Sequence, residues 1–166
     1  MGCFPGFLTQ YKTSSSEKDY DPRTGCLNWL NELGMQHNKL LRKELTRIRQ
    51  LHPRIHIIYG DYYNAIMRFY LSPHQFGFAR ESILRACCGG GGPYNFNLSA
   101  VCGNQLGANC CENPSLYVDW DGIHYTETAY KWIAQDLWEG PYTHPHIKSL
   151  CPSISTARAA VQYYEY

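Results

Sequence analysis

A layered α/β domain is the fold class this sequence predicts, and three stretches predict it. Leucines recur at mostly three- and four-residue steps between Cys26 and about Gln50, the β-branched run Ile55-His56-Ile57-Ile58-Tyr59 follows, and a second helical stretch runs from Tyr62 to Leu71. A helix, a buried strand and a helix in succession hide their apolar faces by stacking in layers. With 166 residues, 44% of them hydrophobic, the chain is long enough for one domain with a core and too apolar for a disordered one.

The elements follow in chain order. Residues 1–24 lack periodicity and include the polar run Thr13-Ser14-Ser15-Ser16-Glu17-Lys18, so they read as a loop. The first helix carries Leu27, Leu30, Leu33, Leu41, Leu45, Ile48 and Leu51 on one face, and that face calls for a sheet to cover it. Lys39, Arg42, Lys43, Arg47 and Arg49 occupy the other face and read as solvated. Pro53 pushes its predecessor out of the α region and ends the helix. The run from Ile55 to Tyr59 then reads as a short buried strand closed by Gly60-Asp61. Asp61 is suited to cap the helix over 62–71, and Ser72-Pro73 ends it.

Residues 85–116 read as loop, with Cys87-Cys88 followed by four glycines. No Gly-Lys-Ser/Thr follows the glycines and no strand precedes them, so the stretch is a tight turn rather than a phosphate cradle. Asn97-Leu98-Ser99 fits the N-glycosylation pattern. A last helix is predicted over 126–138, with Thr126 as its cap and Glu127 in its first turn. Ala129, Tyr130, Ile133, Ala134, Leu137 and Trp138 form its apolar stripe, and Gly140-Pro141 stops it. Residues 147–166 form an uncertain extension.

Charge excludes some partners. Fifteen basic and fourteen acidic residues give a formal net charge of +1, so no bulk attraction to nucleic acid is expected. No run of about 18 apolar residues exists, so no integral membrane segment is expected either. The start Met-Gly-Cys-Phe-Pro-Gly-Phe-Leu has neither the basic nor the apolar region of a signal peptide. Eight cysteines, at 3, 26, 87, 88, 102, 110, 111 and 151, suit disulfides in an oxidising compartment. The adjacent pairs lack zinc-finger spacing, so no metal and no cofactor is expected.

The stretch that carries chemistry is Tyr117-Val118-Asp119-Trp120-Asp121-Gly122-Ile123-His124-Tyr125-Thr126-Glu127. Asp121 and His124 stand three residues apart, with Gly122 to let the chain bend between them. In a turn, that spacing brings a carboxylate against one imidazole nitrogen and leaves the other to accept a proton from a nucleophile. A helix-capping network accounts for the same spacing.

The block Trp120-Asp121-Gly122-Ile123-His124-Tyr125-Thr126-Glu127 resembles the one near the C-terminus of plant GDSL esterases/lipases, a branch of the SGNH hydrolases. Gly2-Cys3-Phe4-Pro5, Gly25-Cys26-Leu27 with His37-Asn38, Asp61-Tyr62-Tyr63-Asn64, Cys87-Cys88-Gly89 with Tyr94-Asn95, and Cys102-Gly103 align in the same order. The resemblance covers roughly residues 2–146, so 1–146 read as the C-terminal part of such a hydrolase domain. It implies a partial α/β/α flavodoxin-like fold lacking its N-terminal strands, secretion, and hydrolysis of small-molecule or lipid esters. By position His124 matches the family's catalytic histidine and Asp121 its aspartate, whereas Asp119 is expected to be a loop carboxylate. His37, His52, His56, His74, His144 and His146 match no catalytic position and read as surface or packing residues. Cys3 is expected to pair with Cys26, and Cys87 or Cys88 with Cys102, Cys110 or Cys111.

The departure lies in the nucleophile. The family's serine sits in a Gly-Asp-Ser block, and its oxyanion hole draws on a glycine and an asparagine from upstream blocks. Neither Gly-Asp-Ser nor Gly-x-Asn-Asp occurs in this sequence. Two readings therefore stand: part of a serine esterase that is active only when complete, and a non-catalytic remnant that binds a partner or is not stably folded.

Overall fold

A computed structural model describes residues 2–103 and 107–150. Cys151 and the rest of the extension expected beyond it lie outside the described residues, and so do 104–106. The described chain is mixed α/β: helices carry most of the regular structure, and the strands are short. Helix α1 spans Pro5–Tyr11, α2 Asn28–Leu51, α3 Tyr62–Leu71, α4 Glu127–Trp138 and α5 Ile147–Leu150. The strands β1 Tyr59–Gly60, β2 Cys88–Gly89, β3 Asn109–Cys110 and β4 Thr143–His144 are two residues long.

The helix ends fall where local chemistry puts them. Helix α2 stops at His52, just before Pro53. The Asp61 carboxylate accepts the N–H of Asn64 at 3.3 Å and caps α3. Thr126 Oγ1 accepts the N–H of Ala129 at 3.3 Å and caps α4. The loop expected over 1–24 is corrected by α1, which begins with proline at its first helical position, where a missing N–H costs nothing.

The strand expected over 55–59 is corrected too. Ile55 is 58% exposed, and pairing begins only at Tyr59, antiparallel to His144, with Gly60 opposite Thr143. Arg49 is not merely solvated. Its guanidinium donates to the carbonyls of Ile57 at 3.0 Å and His144 at 2.7 Å, tying the end of α2 to β4 and to the segment that leads into β1.

The main core gathers α3 and α4 with the segments around Phe78 and Val118. Phe69 packs edge-on against Phe76 and Phe78, with ring centroids 5.0 and 5.2 Å away. Ile66, Tyr70, Tyr125, Ala129 and Ile133 close around them. The α4 stripe is only partly as expected: Ala129 and Ile133 are buried, but Tyr130, Ala134 and Trp138 are exposed. Trp132 turns inward instead and donates its indole N–H to the Phe76 carbonyl at 3.1 Å. Arg68 and Asp136 pair across the α3–α4 contact. A smaller cluster of Leu8, Leu27 and Leu30 joins α1 to the start of α2. Beyond it, Leu33, Leu40 and Leu51 are 57%, 58% and 60% exposed, so part of the leucine face of α2 has no cover among the described residues.

Three disulfides staple the loops: Cys3–Cys26, Cys87–Cys111 and Cys88–Cys102. The glycine-rich turn is thereby pinned at both Cys87 and Cys88, where a bridge from one or the other was expected. Cys110 has no partner among the described residues.

Candidate active site

The site is built on a hairpin. Trp120 N–H donates to the His124 carbonyl at 2.8 Å, and Thr126 N–H to that of Val118 at 2.9 Å. Residues 121–123 form the loop of that hairpin, and Gly122 supplies the left-handed backbone it needs, with φ at +94°. The loop is clamped from two sides. Gly6 at the start of α1 donates its N–H to the Gly122 carbonyl at 3.1 Å, and the Phe96 ring lies against the Gly122 Cα. A Cβ on Gly122 would fall 2.3 Å from Phe96 Cδ2, so only glycine fits.

Asp121 organises the turn with both carboxylate oxygens. Oδ1 accepts the backbone N–H groups of Ile123 at 3.0 Å and His124 at 2.8 Å, and Oδ2 lies 2.8 Å from His124 Nδ1. Partial burial opposes ionisation of this carboxyl. The His124 ring and the two N–H groups outweigh it and hold the carboxyl below its ordinary range. The structure thus brings together the two residues singled out by spacing. With Nδ1 facing the carboxylate, Nε2 is the nitrogen left to exchange protons. The His124 side chain is 66% exposed, and no serine hydroxyl hydrogen-bonds to it among the described residues.

Asp119 is placed quite differently from the loop carboxylate expected. It is fully buried, because its backbone lies between Ala86 on one side and Tyr125 on the other. Tyr70 donates its hydroxyl to Oδ2 at 3.2 Å, while Oδ1 has no partner among the described residues. Burial pushes its pKa well up, the Tyr70 bond pulls the other way, and the nearby Asp121 charge adds to the rise. The Tyr70 and Tyr125 hydroxyls beside it are raised as well, first by burial and then by the Asp119 charge. Its burial depends on contacts with Tyr70 and Ala86, which no local pattern in the sequence signals.

None of the other histidines hydrogen-bonds to the side chains of the turn among the described residues. His37, His52, His56, His74 and His144 are exposed and His146 is half-buried. The sulfurs of Cys88, Cys102 and Cys110 lie within 4.8 Å of one another, but the disulfide between the first two removes two of the three thiolates a metal would need. No helix of the described residues is long and apolar enough to cross a membrane.

Comparison with known proteins gives a consistent likeness. The profile of the GDSL-like Lipase/Acylhydrolase family matches residues 1–137. A GDSL esterase/lipase of Arabidopsis thaliana is 53% identical over 91% of this chain and 39% of its own length. A second from the same plant is 50% identical over 91% of this chain and 38% of its own. The sinapine esterase of Brassica napus is 45% identical over 91% and 38%. The chain therefore spans well under half the length of these relatives. No solved structure matches it.

Proposed function

The chain belongs to the GDSL-like lipase/acylhydrolase family, and from that premise we propose that it forms part of a serine ester hydrolase in which His124 is the base and Asp121 its partner. The observation that carries this reading is the 2.8 Å contact between Asp121 Oδ2 and His124 Nδ1 in a turn clamped by Gly6 and Phe96.

In this reading His124 Nε2 takes the proton of a serine hydroxyl as the serine oxygen attacks the ester carbonyl. The imidazolium then returns that proton to the departing alcohol, leaving an acyl-serine. Water repeats the cycle: His124 removes its proton, the acid leaves, and the serine is regenerated. Asp121 keeps Nδ1 protonated and stabilises the imidazolium in both halves.

The sequence offers no Gly-Asp-Ser, and we assign the serine and the oxyanion donors to polypeptide outside these 166 residues. Residues 1–146 are then the C-terminal part of an α/β/α hydrolase domain, with the exposed leucine face of α2 packed under sheet strands supplied by the remainder. The substrates are small-molecule or lipid esters, a class supported by the esterase/lipase names of the relatives. Three disulfides support maturation in an oxidising, secretory compartment.

The test joins this chain to the remaining polypeptide of the relative that is 53% identical to it. The joined protein is expected to hydrolyse p-nitrophenyl butyrate and to be labelled on serine by a fluorophosphonate. The chain alone is expected to do neither above its His124→Ala variant. A correctly folded joined protein with no hydrolysis would contradict the reading.

A further inference from the structure

Three sulfurs meet beside the glycine-rich turn, and the acid–base pair uses none of them. Those of Cys88, Cys102 and Cys110 lie within 4.8 Å of one another. Cys88 and Cys102 are bonded to each other, whereas Cys110 is an exposed thiol without a partner among the described residues. A thiolate that close to a disulfide can displace one of its sulfurs.

Strand register independently indicates which sulfur Cys110 reaches. Cys88 of β2 stands opposite Cys110 of β3. One residue outside that pair, the Cys111 N–H donates to the Cys87 carbonyl at 2.7 Å, so Cys88 and Cys110 face each other without hydrogen bonds between them. In such pairs the Cα atoms approach to about 4.5 Å, within the span of a disulfide. A Cys88–Cys110 bridge would join two strands already in place. Cys102 is half-buried and Cys88 is fully buried, so a thiolate left on Cys102 meets water and one left on Cys88 does not.

The existing bridge also reaches the Gly122 turn. Cys88 donates its N–H to the Trp120 carbonyl at 2.6 Å, which fixes it to the hairpin. Cys102 ends the loop that carries Phe96, whose ring lies against Gly122. Tyr94 and Asn95 are hydrogen-bonded back to Ala86, so the bond to Cys102 is the covalent tether on the second half of the loop, from Phe96 onward.

We propose that the Cys110 thiolate attacks Cys88 Sγ, forming Cys88–Cys110 and releasing Cys102, and that this exchange loosens the Phe96 clamp on the Gly122 turn. Cys110 gives its proton to water before the attack, and Cys102 takes one up afterwards. One disulfide breaks and one forms, so no oxidant or reductant is consumed. The proposal stands on the placement of the sulfurs and does not depend on the catalytic reading of His124.

Disulfide mapping of the full chain tests the exchange. Trapped at once with N-ethylmaleimide in mild acid, the chain is expected to carry label on Cys110 and not on Cys102. Held for hours at about pH 8 before trapping, part of it is expected to carry the label on Cys102 and to yield a Cys88–Cys110 peptide. Cys110→Ser is expected to abolish both changes. Cys151→Ser, which removes the other cysteine outside the three bridges, is expected to keep them. Label that stays on Cys110, label that moves to Cys88, or a Cys110–Cys151 bridge in the starting material overturns the exchange. NMR tests the clamp. In Cys102→Ser, with Cys88–Cys110 closed by oxidised glutathione, the Gly122 α-protons are expected to lose the Phe96 ring-current shift that Cys110→Ser keeps, while the core signals of Phe69 and Trp132 stay in place. Unchanged Gly122 α-protons overturn the loosening of the clamp, and so does loss of the core signals, which would mean that the tether holds the whole fold.

Discussion

Asp121 holds His124 at two atoms at once: one carboxylate oxygen lies 2.8 Å from the ring Nδ1, and the other accepts the backbone N–H of His124 itself, together with that of Ile123. The side chain that would stabilise an imidazolium is therefore also the one that sets the turn. Its carboxyl sits below its ordinary range, so the stabilisation is present above about pH 4 and is lost as pH falls through the lowered folded value. The protection of the Ile123 and His124 amides, taken as the exchange rate relative to that of an unstructured peptide at the same pH, is expected to hold at neutral pH and to fall as the carboxylate is protonated. Asp121→Asn is expected to remove that pH dependence.

Gly122→Ala separates the backbone from the chemistry. The left-handed φ disfavours any side chain, and the new methyl would meet the Phe96 ring. The expected destabilisation is about 2 kcal/mol, measured by denaturant unfolding. An unchanged midpoint would show that the clamp between Gly122 and Phe96 is not maintained in solution.

Asp119 makes the opposite prediction from Asp121. Its folded pKa is raised, so the stability it permits is fully present below the ordinary carboxyl range and declines as pH rises from there. Asp119→Asn, which keeps the shape and removes the ionisation, is expected to raise the melting temperature at pH 7 and to make little difference at about pH 3.5. Lower stability of the variant at pH 7 would mean that the buried carboxylate is ionised and paired.

The sulfurs make a covalent prediction. Mass mapping after alkylation without reductant is expected to recover Cys3–Cys26, Cys87–Cys111 and Cys88–Cys102. Each closes a loop of 14 to 24 residues, and reduction is expected to remove about 2–4 kcal/mol per bridge. Labelling of all these thiols in material from an oxidising compartment would rule the framework out.

The helices were legible because their signals are local. Periodicity located α2, α3 and α4, and His52-Pro53, Asp61, Ser72-Pro73 and Thr126 marked their ends through backbone sterics and capping. The Asp121–His124 pair was legible for the same reason, since the turn that joins them is four residues long and marked by glycine. Pairing and burial at long range were not. Ile55 to Ile58 have the composition of a strand, but whether they pair depends on what lies beside them, and among the described residues only Tyr59 and Gly60 find partners, at His144 and Thr143. Asp119 resembles any polar loop residue until Ala86, Tyr70 and Tyr125 close around it. Helix α1 had one usable signal, Pro5 at its first position, within a segment otherwise free of periodicity.

Chemical rescue tests the central claim most directly. In the joined protein, His124→Ala is expected to lower kcat/KM for p-nitrophenyl butyrate by about three orders of magnitude or more, with Asp121→Ala lower by a comparable factor. Added imidazole is expected to restore part of the His124→Ala activity by occupying the vacated base position, and none of the Asp121→Ala activity, where the base is still present. Full activity in His124→Ala, without imidazole, would contradict the assignment of His124 as the base.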